Sequence, residues 1–295
     1  MRSEAVAAPI AQSRVADFVQ LTKPRLNVLV IVTAAAGFYL GSRGSPDYAR
    51  FACTVAGTAL VASGASALNQ VYERRVDGLM RRTRLRPLPD GRLRPAAAGR
   101  FAALLAVGGL LLLALGATPA AAGVALVTLL TYVWAYTPLK LRTSLATVVG
   151  AVPGALPPMI GWAGATGGLA VDAWLLFAIV FLWQMPHFLA IAWLYRDDYA
   201  AAGFPMLPVI EPDGRSTARQ ATAYAGALLP VSLAPAATGL TTEIYLVGAL
   251  VLGSLFLWLC LRFARRRTRD DARRLFVGSI TYLPLLWILM IATRA

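Results

Sequence analysis

Asn69, Glu73 and Asp77 stand four residues apart along the chain. On a helix, positions i, i+4 and i+8 stack their side chains along one face. Two carboxylates and an amide oxygen on one stripe are hard oxygen donors. Mg²⁺ takes few protein carboxylates and completes its shell with phosphate oxygens and water, so a Mg²⁺-bridged diphosphate is a natural guest. A plainer reading has Glu73 and Asp77 pairing with Arg74, Arg75, Arg81 and Arg82 at a solvated helix end. The following stretch, Arg81-Arg82-Thr83-Arg84-Leu85-Arg86-Pro87, adds guanidinium forks, and these bind phosphate bidentately. Acids that hold a metal, followed by arginines that hold anions, suit a diphosphate leaving group. Some of these arginines serve equally well as anchors to anionic lipid.

A second constellation begins with Phe181-Leu182-Trp183-Gln184-Met185-Pro186-His187 and ends in Tyr195-Arg196-Asp197-Asp198-Tyr199. Arg196, Asp197 and Asp198 form another candidate anion or metal group, with a solvated Arg–Asp pair as the plain alternative. His187 is the chain's single histidine. In an apolar stretch it is a candidate for function by default, able to ligate a metal or take a proton; the alternative is a buried histidine bonded across helices. It precedes Asp198 by 11 residues, which on one continuous helix puts the two on a shared face roughly 16 Å apart. The tetrapeptide Pro-Asp-Gly-Arg occurs at 89–92 and again at 212–215, each time after an acidic helix end. That repetition suggests two pseudo-equivalent loops facing each other over one site.

The elements that must position these residues are helices in lipid. Of 295 residues, 58% are hydrophobic and 14% charged, whereas soluble domains carry roughly 25% charged residues. Apolar runs recur at 26–41, 51–73, 99–116, 119–136, 144–163, 172–195, 218–239, 243–262 and 273–292. Each can cross a hydrocarbon layer of about 30 Å. With the N-terminus inside, 25 of the 28 Lys and Arg residues fall on the inner side, as the positive-inside rule requires. The +14 net charge is thereby assigned to membrane topology, and nucleic acid is not expected as a partner. The expected architecture is all-α: nine transmembrane helices in one domain (21–295) after a frayed cytoplasmic tail (1–20). Gly150, Pro153, Gly154, Pro157 and Pro158 in the fifth span read as packing and bending residues. Cys53 and Cys260 lie in apolar runs and form no ligand or disulfide spacing.

Asn69-x3-Glu73-x3-Asp77-x2-Met80-x-Arg82-Thr83-x2-Arg86-Pro87 resembles the first acidic motif of the intramembrane aromatic (UbiA-type) prenyltransferase superfamily. It is closest to the version found in the protoheme IX farnesyltransferases, or haem O synthases. The stretch Phe181–Pro208 resembles the same branch, although Tyr195 and Tyr199 stand where most superfamily members carry aspartates. The resemblance runs from about residue 18 to 290.

It implies a helical bundle around a central cavity in a bacterial inner membrane, with the active site on the cytoplasmic side. Farnesyl diphosphate and protoheme IX (haem b, as substrate) would give haem O and diphosphate, with Mg²⁺ as cofactor and a downstream haem A synthase as a partner. Glu73, Asp77 and Asn69 would hold the metal. Asn27, Arg82, Arg86, Lys140, Arg196, Asp197 and Asp198 would contact the diphosphate or the substrate, and His187 would meet the acceptor. Lys23 and Arg25, flanking Pro24, are either membrane anchors or contacts of the lid. Phe181, Trp183 and Tyr195 are candidates to face a carbocation, with core packing the simpler reading. Two other functions fit less well. A hydroxybenzoate-type acceptor does not explain the Met80–Pro87 stretch. A transporter tends to carry its ionisable groups near the bilayer midplane, whereas these acids sit at helix ends.

Overall fold

The computed structural model describes residues 13–295, and it is helical throughout. The first element, α1 (Arg14–Leu21), is capped by the Ser13 hydroxyl, which accepts from the Ala16 amide. From Arg14 onward this corrects the expectation of a frayed tail; residues 1–12 lie outside the described residues. The helix is held by Gln70 Nε2 donating to the Leu21 carbonyl (2.8 Å) and by Phe18 packing edge-on against Phe101. Next come α2 (Pro24–Gly41), α3 (Tyr48–Asp77) and α4 (Pro95–Gly116). Pro24 and Pro95 occupy first-turn positions, where a missing N–H costs nothing. Asp47 caps α3 by accepting from Arg50 N at 3.0 Å.

The chain continues through α5 (Pro119–Leu130), a π-helical segment Thr131–Tyr136, and α6 (Thr137–Leu139). Then follow α7 (Ala146–Ala155) and α8 (Pro157–Thr166), two halves of one span broken at Leu156 ahead of consecutive prolines, as proline geometry demands. The remainder is α9 (Val171–Leu194), the short α10 (Arg196–Ala201) and α11 (Leu207–Ile210), then α12 (Arg215–Ala237), α13 (Glu243–Arg266) and α14 (Arg269–Ala292).

Among the described residues, helix covers the positions of all nine expected apolar runs. Eight of these segments are long and apolar enough to cross a membrane. The exception is α12, whose first turns carry Arg215, Ser216, Thr217, Arg219 and Gln220. At about 1.5 Å per residue the 30 residues of α3 extend about 45 Å, well beyond a hydrocarbon core of about 30 Å. The polar residues from Asn69 to Asp77 are gathered at the C-terminal end of α3.

Neighbouring helices pack as a ring: α2 on α3 and α8, α3 on α4, α9 on α7, α12 and α14, α12 on α13, and α13 on α14. The ring closes where α14 meets α2. There the Arg294 guanidinium donates to the carbonyls of Tyr39 and Ser42. The α2–α8 seam is the tightest. A Cβ on Gly161 would collide with the Ala34 carbonyl, and one on Gly37 with the Pro158 carbonyl, so only glycine lets these backbones touch. In the same way Gly154 makes room for the Gln184 amide, which donates to Ala151 O at 3.2 Å. The packing role expected for the glycines of this span is what the structure shows.

Candidate active site

The Asn69–Glu73–Asp77 stripe lies at the end of α3, and all three side chains are buried, at 3%, 2% and 1% exposure. Buried carboxylates must find partners, and each does. Lys140 Nζ donates to Glu73 Oε1 at 3.2 Å and to Oε2 at 3.3 Å. Arg86 Nη1 donates to Asp77 Oδ2 at 2.7 Å. Asn69 Oδ1 accepts from Lys23 Nζ at 3.1 Å, while its amide donates to Thr137 Oγ1 at 3.2 Å. Neither acid pairs with Arg74, Arg75, Arg81 or Arg82 among the described residues. The solvated-helix-end reading named the wrong partners.

Local structure brings these cations in. Pro138 contributes no N–H, and the turn before it is the π-helical segment, which takes up an extra residue per turn. Thr137 Oγ1 donates to Tyr132 O at 2.8 Å across this wide turn. The result aims Thr137 and Lys140 at α3. The Lys140 ammonium also lies 4.7 Å from the centre of the Phe204 ring. Arg86 is set by a tight loop in which Thr83 Oγ1 donates to Asp77 O at 2.7 Å.

Lys23 belongs to this cluster, although its type and position left it open between anchor and lid. Its backbone is left-handed (φ 48°), a conformation an L-residue adopts at a cost, and its side chain enters the acid cluster. Burial and the nearby Arg86 press its ammonium down to about 8, Lys140 adds to this, and Glu73 and Asp77 oppose it. Pro24 supplied no signal of this role.

Asn27 is buried, but its amide donates back to Thr22 O at 2.7 Å, which closes the turn before α2. Arg82 crosses to the second constellation, its guanidinium 5.6 Å from the centre of the Tyr195 ring. The two loops also share a small core of Met80, Tyr199, Ala202, Phe204 and Met206. They do face each other, as the repeated tetrapeptide suggested. Both copies make the same left-handed glycine turn, at Gly91 (φ 77°) and Gly214 (φ 71°).

The second constellation is built differently. α9 stops at Leu194, Tyr195 (φ −112°, ψ 21°) interrupts it, and α10 restarts at Arg196. The shared helical face expected for His187 and Asp198 therefore does not exist. Asp197 is 92% exposed, 3.8 Å from Arg196, and the Arg196 guanidinium sits over Trp193 at 4.7 Å. Asp198 is half-buried. Arg196 and Asp197 instead line a small cleft of about 120 Å³ with Arg267 and Arg269. His187 is placed away from both acid groups, with Nδ1 2.7 Å from Ser279 Oγ on α14.

The first cluster thus holds three oxygen donors, each satisfied by a cationic group. Such a set accepts a hard cation if phosphate oxygens and water complete the shell. No group of three or more His, Cys, Asp or Glu among the described residues forms a metal cage of protein ligands alone. The residues fit Mg²⁺ shared with a diphosphate, not a closed structural site.

The UbiA prenyltransferase family model matches residues 30–289. The protoheme IX farnesyltransferase of Solibacter usitatus is 48% identical over 287 residues, 94% of this chain and 98% of that protein. Among solved structures, a digeranylgeranylglyceryl phosphate synthase superposes with a TM-score of 0.81 at 16% identity, covering 95% of this chain and 98% of the other. A UbiA homologue from Archaeoglobus fulgidus bound to GPP and Mg²⁺ gives 0.66 at 14% identity, covering 94% and 100%. These structures share the fold. With the motif, the buried charge cluster and the family match together, the chain is a multi-pass membrane protein that belongs to the UbiA prenyltransferase family, and it is a prenyltransferase.

Proposed function

We propose that this chain transfers a farnesyl group from farnesyl diphosphate to a vinyl group of protoheme IX, giving haem O and diphosphate. The observation that carries the reading is the buried Glu73–Lys140 and Asp77–Arg86 pairing at the end of α3, in a chain 48% identical to a protoheme IX farnesyltransferase.

Glu73, Asp77 and Asn69 would hold Mg²⁺, which when bound supplies positive charge to the departing diphosphate. Lys140, Arg86 and Lys23 are preorganised to exchange their carboxylate and amide partners for phosphate oxygens, and so favour charge that develops on the leaving group. Arg82 and Asp198 extend the substrate-binding surface, Arg82 by bridging the two loops; Asn27, whose amide closes its own turn, and the exposed Arg196–Asp197 pair lie at its margin and contribute little. The allylic C–O bond breaks with its electron pair leaving on the diphosphate. The vinyl terminal carbon attacks the farnesyl carbocation inside the apolar bundle. Water then adds to the resulting cation and loses a proton, which leaves the hydroxyethyl carbon of haem O. His187 orients the haem through its iron or its reacting edge.

The 25-to-3 partition of basic residues supports nine spans, an inner-membrane location and a cytoplasmic active site. A haem A synthase would take the product onward. Incubating the purified protein with haem b, farnesyl diphosphate and Mg²⁺ should yield haem O by chromatography; absence of product from folded protein would refute the acceptor. For orientation, Asp90→Cys and Asp213→Cys variants should label only from the cytoplasmic side. Labelling of both from the periplasm would reverse the topology.

A further inference from the structure

Ser279, fully buried on α14, makes three hydrogen bonds, and the two of its hydroxyl bear on the state of His187. Its carbonyl accepts from Trp183 Nε1 at 2.8 Å. Its hydroxyl lies 2.6 Å from the Phe276 carbonyl and 2.7 Å from His187 Nδ1. A carbonyl only accepts, and a serine hydroxyl has one proton to give. That proton goes to Phe276. Toward His187 the oxygen can therefore only accept, so Nδ1 must carry the hydrogen. In a neutral imidazole this leaves Nε2 with a free lone pair.

The ring is also held in place. It stacks on Trp183, at 5.1 Å and 22°, and on Phe276, at 5.2 Å and 30°, with Phe188 edge-on at 5.5 Å. Nε2 has no hydrogen-bond partner among the described residues, yet it is not sealed from the surface. An imidazole held by stacked aromatic rings, with one nitrogen committed to a backbone-anchored oxygen and the other open, has the build of a metal-ligating histidine.

We infer that Ser279 is a positioning residue that sets His187 as the Nδ1–H tautomer, so that Nε2 is presented to the iron of a porphyrin acceptor. This rests on the haem reading above. Ser279 does not touch the substrate; it acts through His187, whose ring it orients by accepting the Nδ1 hydrogen.

Because the chain has one histidine, ¹⁵N-histidine labelling of the full-length protein in lipid nanodiscs reports this ring alone. At neutral pH, without substrate, the spectrum should show Nδ1 protonated and Nε2 unprotonated. A dominant Nε2–H tautomer would overturn the inference with no mutation needed. The second arm titrates ferric haem b without farnesyl diphosphate and follows the Soret band. His187→Ala should lose the histidine-ligated signature and regain it with added imidazole. Ser279→Ala should weaken haem binding by about 10- to 100-fold. Ser279→Thr should restore it, since a threonine hydroxyl also bonds the i−3 or i−4 carbonyl in a helix. Farnesyl diphosphate binding should be unchanged throughout. Wild-type affinity in Ser279→Ala, or equal losses in the Ala and Thr variants, would overturn the role of Ser279. If wild-type protein makes haem O but His187→Ala keeps the native spectrum, this inference fails and the haem reading stands. If folded wild-type protein binds farnesyl diphosphate but neither binds haem nor makes haem O, the haem reading fails and takes the inference with it.

Discussion

The two acidic loops share a left-handed Pro-Asp-Gly-Arg turn and a pair of acids near a helix end, but their charges live in different media. Glu73 and Asp77 are almost completely buried, whereas Asp197 is 92% exposed. The cause is helix continuity. α3 runs unbroken through Asp77, so its four-residue spacing keeps every donor on the inward face. α9 is interrupted at Tyr195, and the restart turns Arg196 and Asp197 outward while Tyr199 goes into the shared loop core. Equal composition gives a charge cluster in one place and a surface ion pair in the other.

The strongest way to break this comparison is to neutralise the buried acids. Glu73→Gln and Asp77→Asn should each lower haem O formation by at least about 100-fold, the scale of a lost electrostatic stabiliser. Each also strands a buried cation, with a stability loss of about 3–5 kcal/mol. Product chromatography at matched protein levels and a thermal melt check both, and normal turnover in Asp77→Asn would end the assignment of the first motif.

A smaller effect concerns pH. The Lys23 ammonium is lowered from 10.5 to about 8, so it is charged below that value and loses its charge as pH rises through it. Farnesyl diphosphate affinity should decline across that range, and Lys23→Gln should flatten the profile in a binding titration. The stability sign is opposite. A folded pKa below the unfolded one means the unfolded chain holds more protons between about 8 and 10.5, so this residue's contribution to stability improves with pH over that window. A pH-independent affinity in wild-type protein would remove Lys23 from the site.

The smallest change is expected at the exposed pair. Asp197→Asn should alter turnover by about twofold or less and stability by less than about 1 kcal/mol, as for surface ion pairs. Asp198→Asn sharpens the contrast, because Asp198 is only half-exposed. If Asp197→Asn is as damaging as Asp77→Asn, the two loops are functionally equal despite their burial.

The helices were legible because lipid enforces long apolar runs, and the first motif because its spacing matches the helical period. Lys140 was found through resemblance, not spacing. Lys23 and Ser279 were not found as site residues. One depends on a left-handed backbone before a proline, the other on which rung of α14 meets α9, and neither leaves a periodic trace. The sixth run ends at 195, one residue past α9, but the face expected to join His187 and Asp198 assumed that the helix went on. Nothing in Trp193-Leu194-Tyr195-Arg196 forbids helix, and beside the interruption the backbone of Gly214 lies against the Trp193 ring, where only glycine fits.

Closure of the ring by Arg294 sets the order in which this protein can be made. The carbonyls it grips, on Tyr39 and Ser42, precede it by 255 and 252 residues. Neighbouring hairpins such as α3–α4 can pair as soon as they leave the ribosome, since their contacts are local. The seam between α2 and α14 cannot. Until the last helix inserts, one flank of α2 faces lipid or a chaperone, and the nascent enzyme is an open arc. A chain shortened by only its final two residues would complete every span and still lack its clasp.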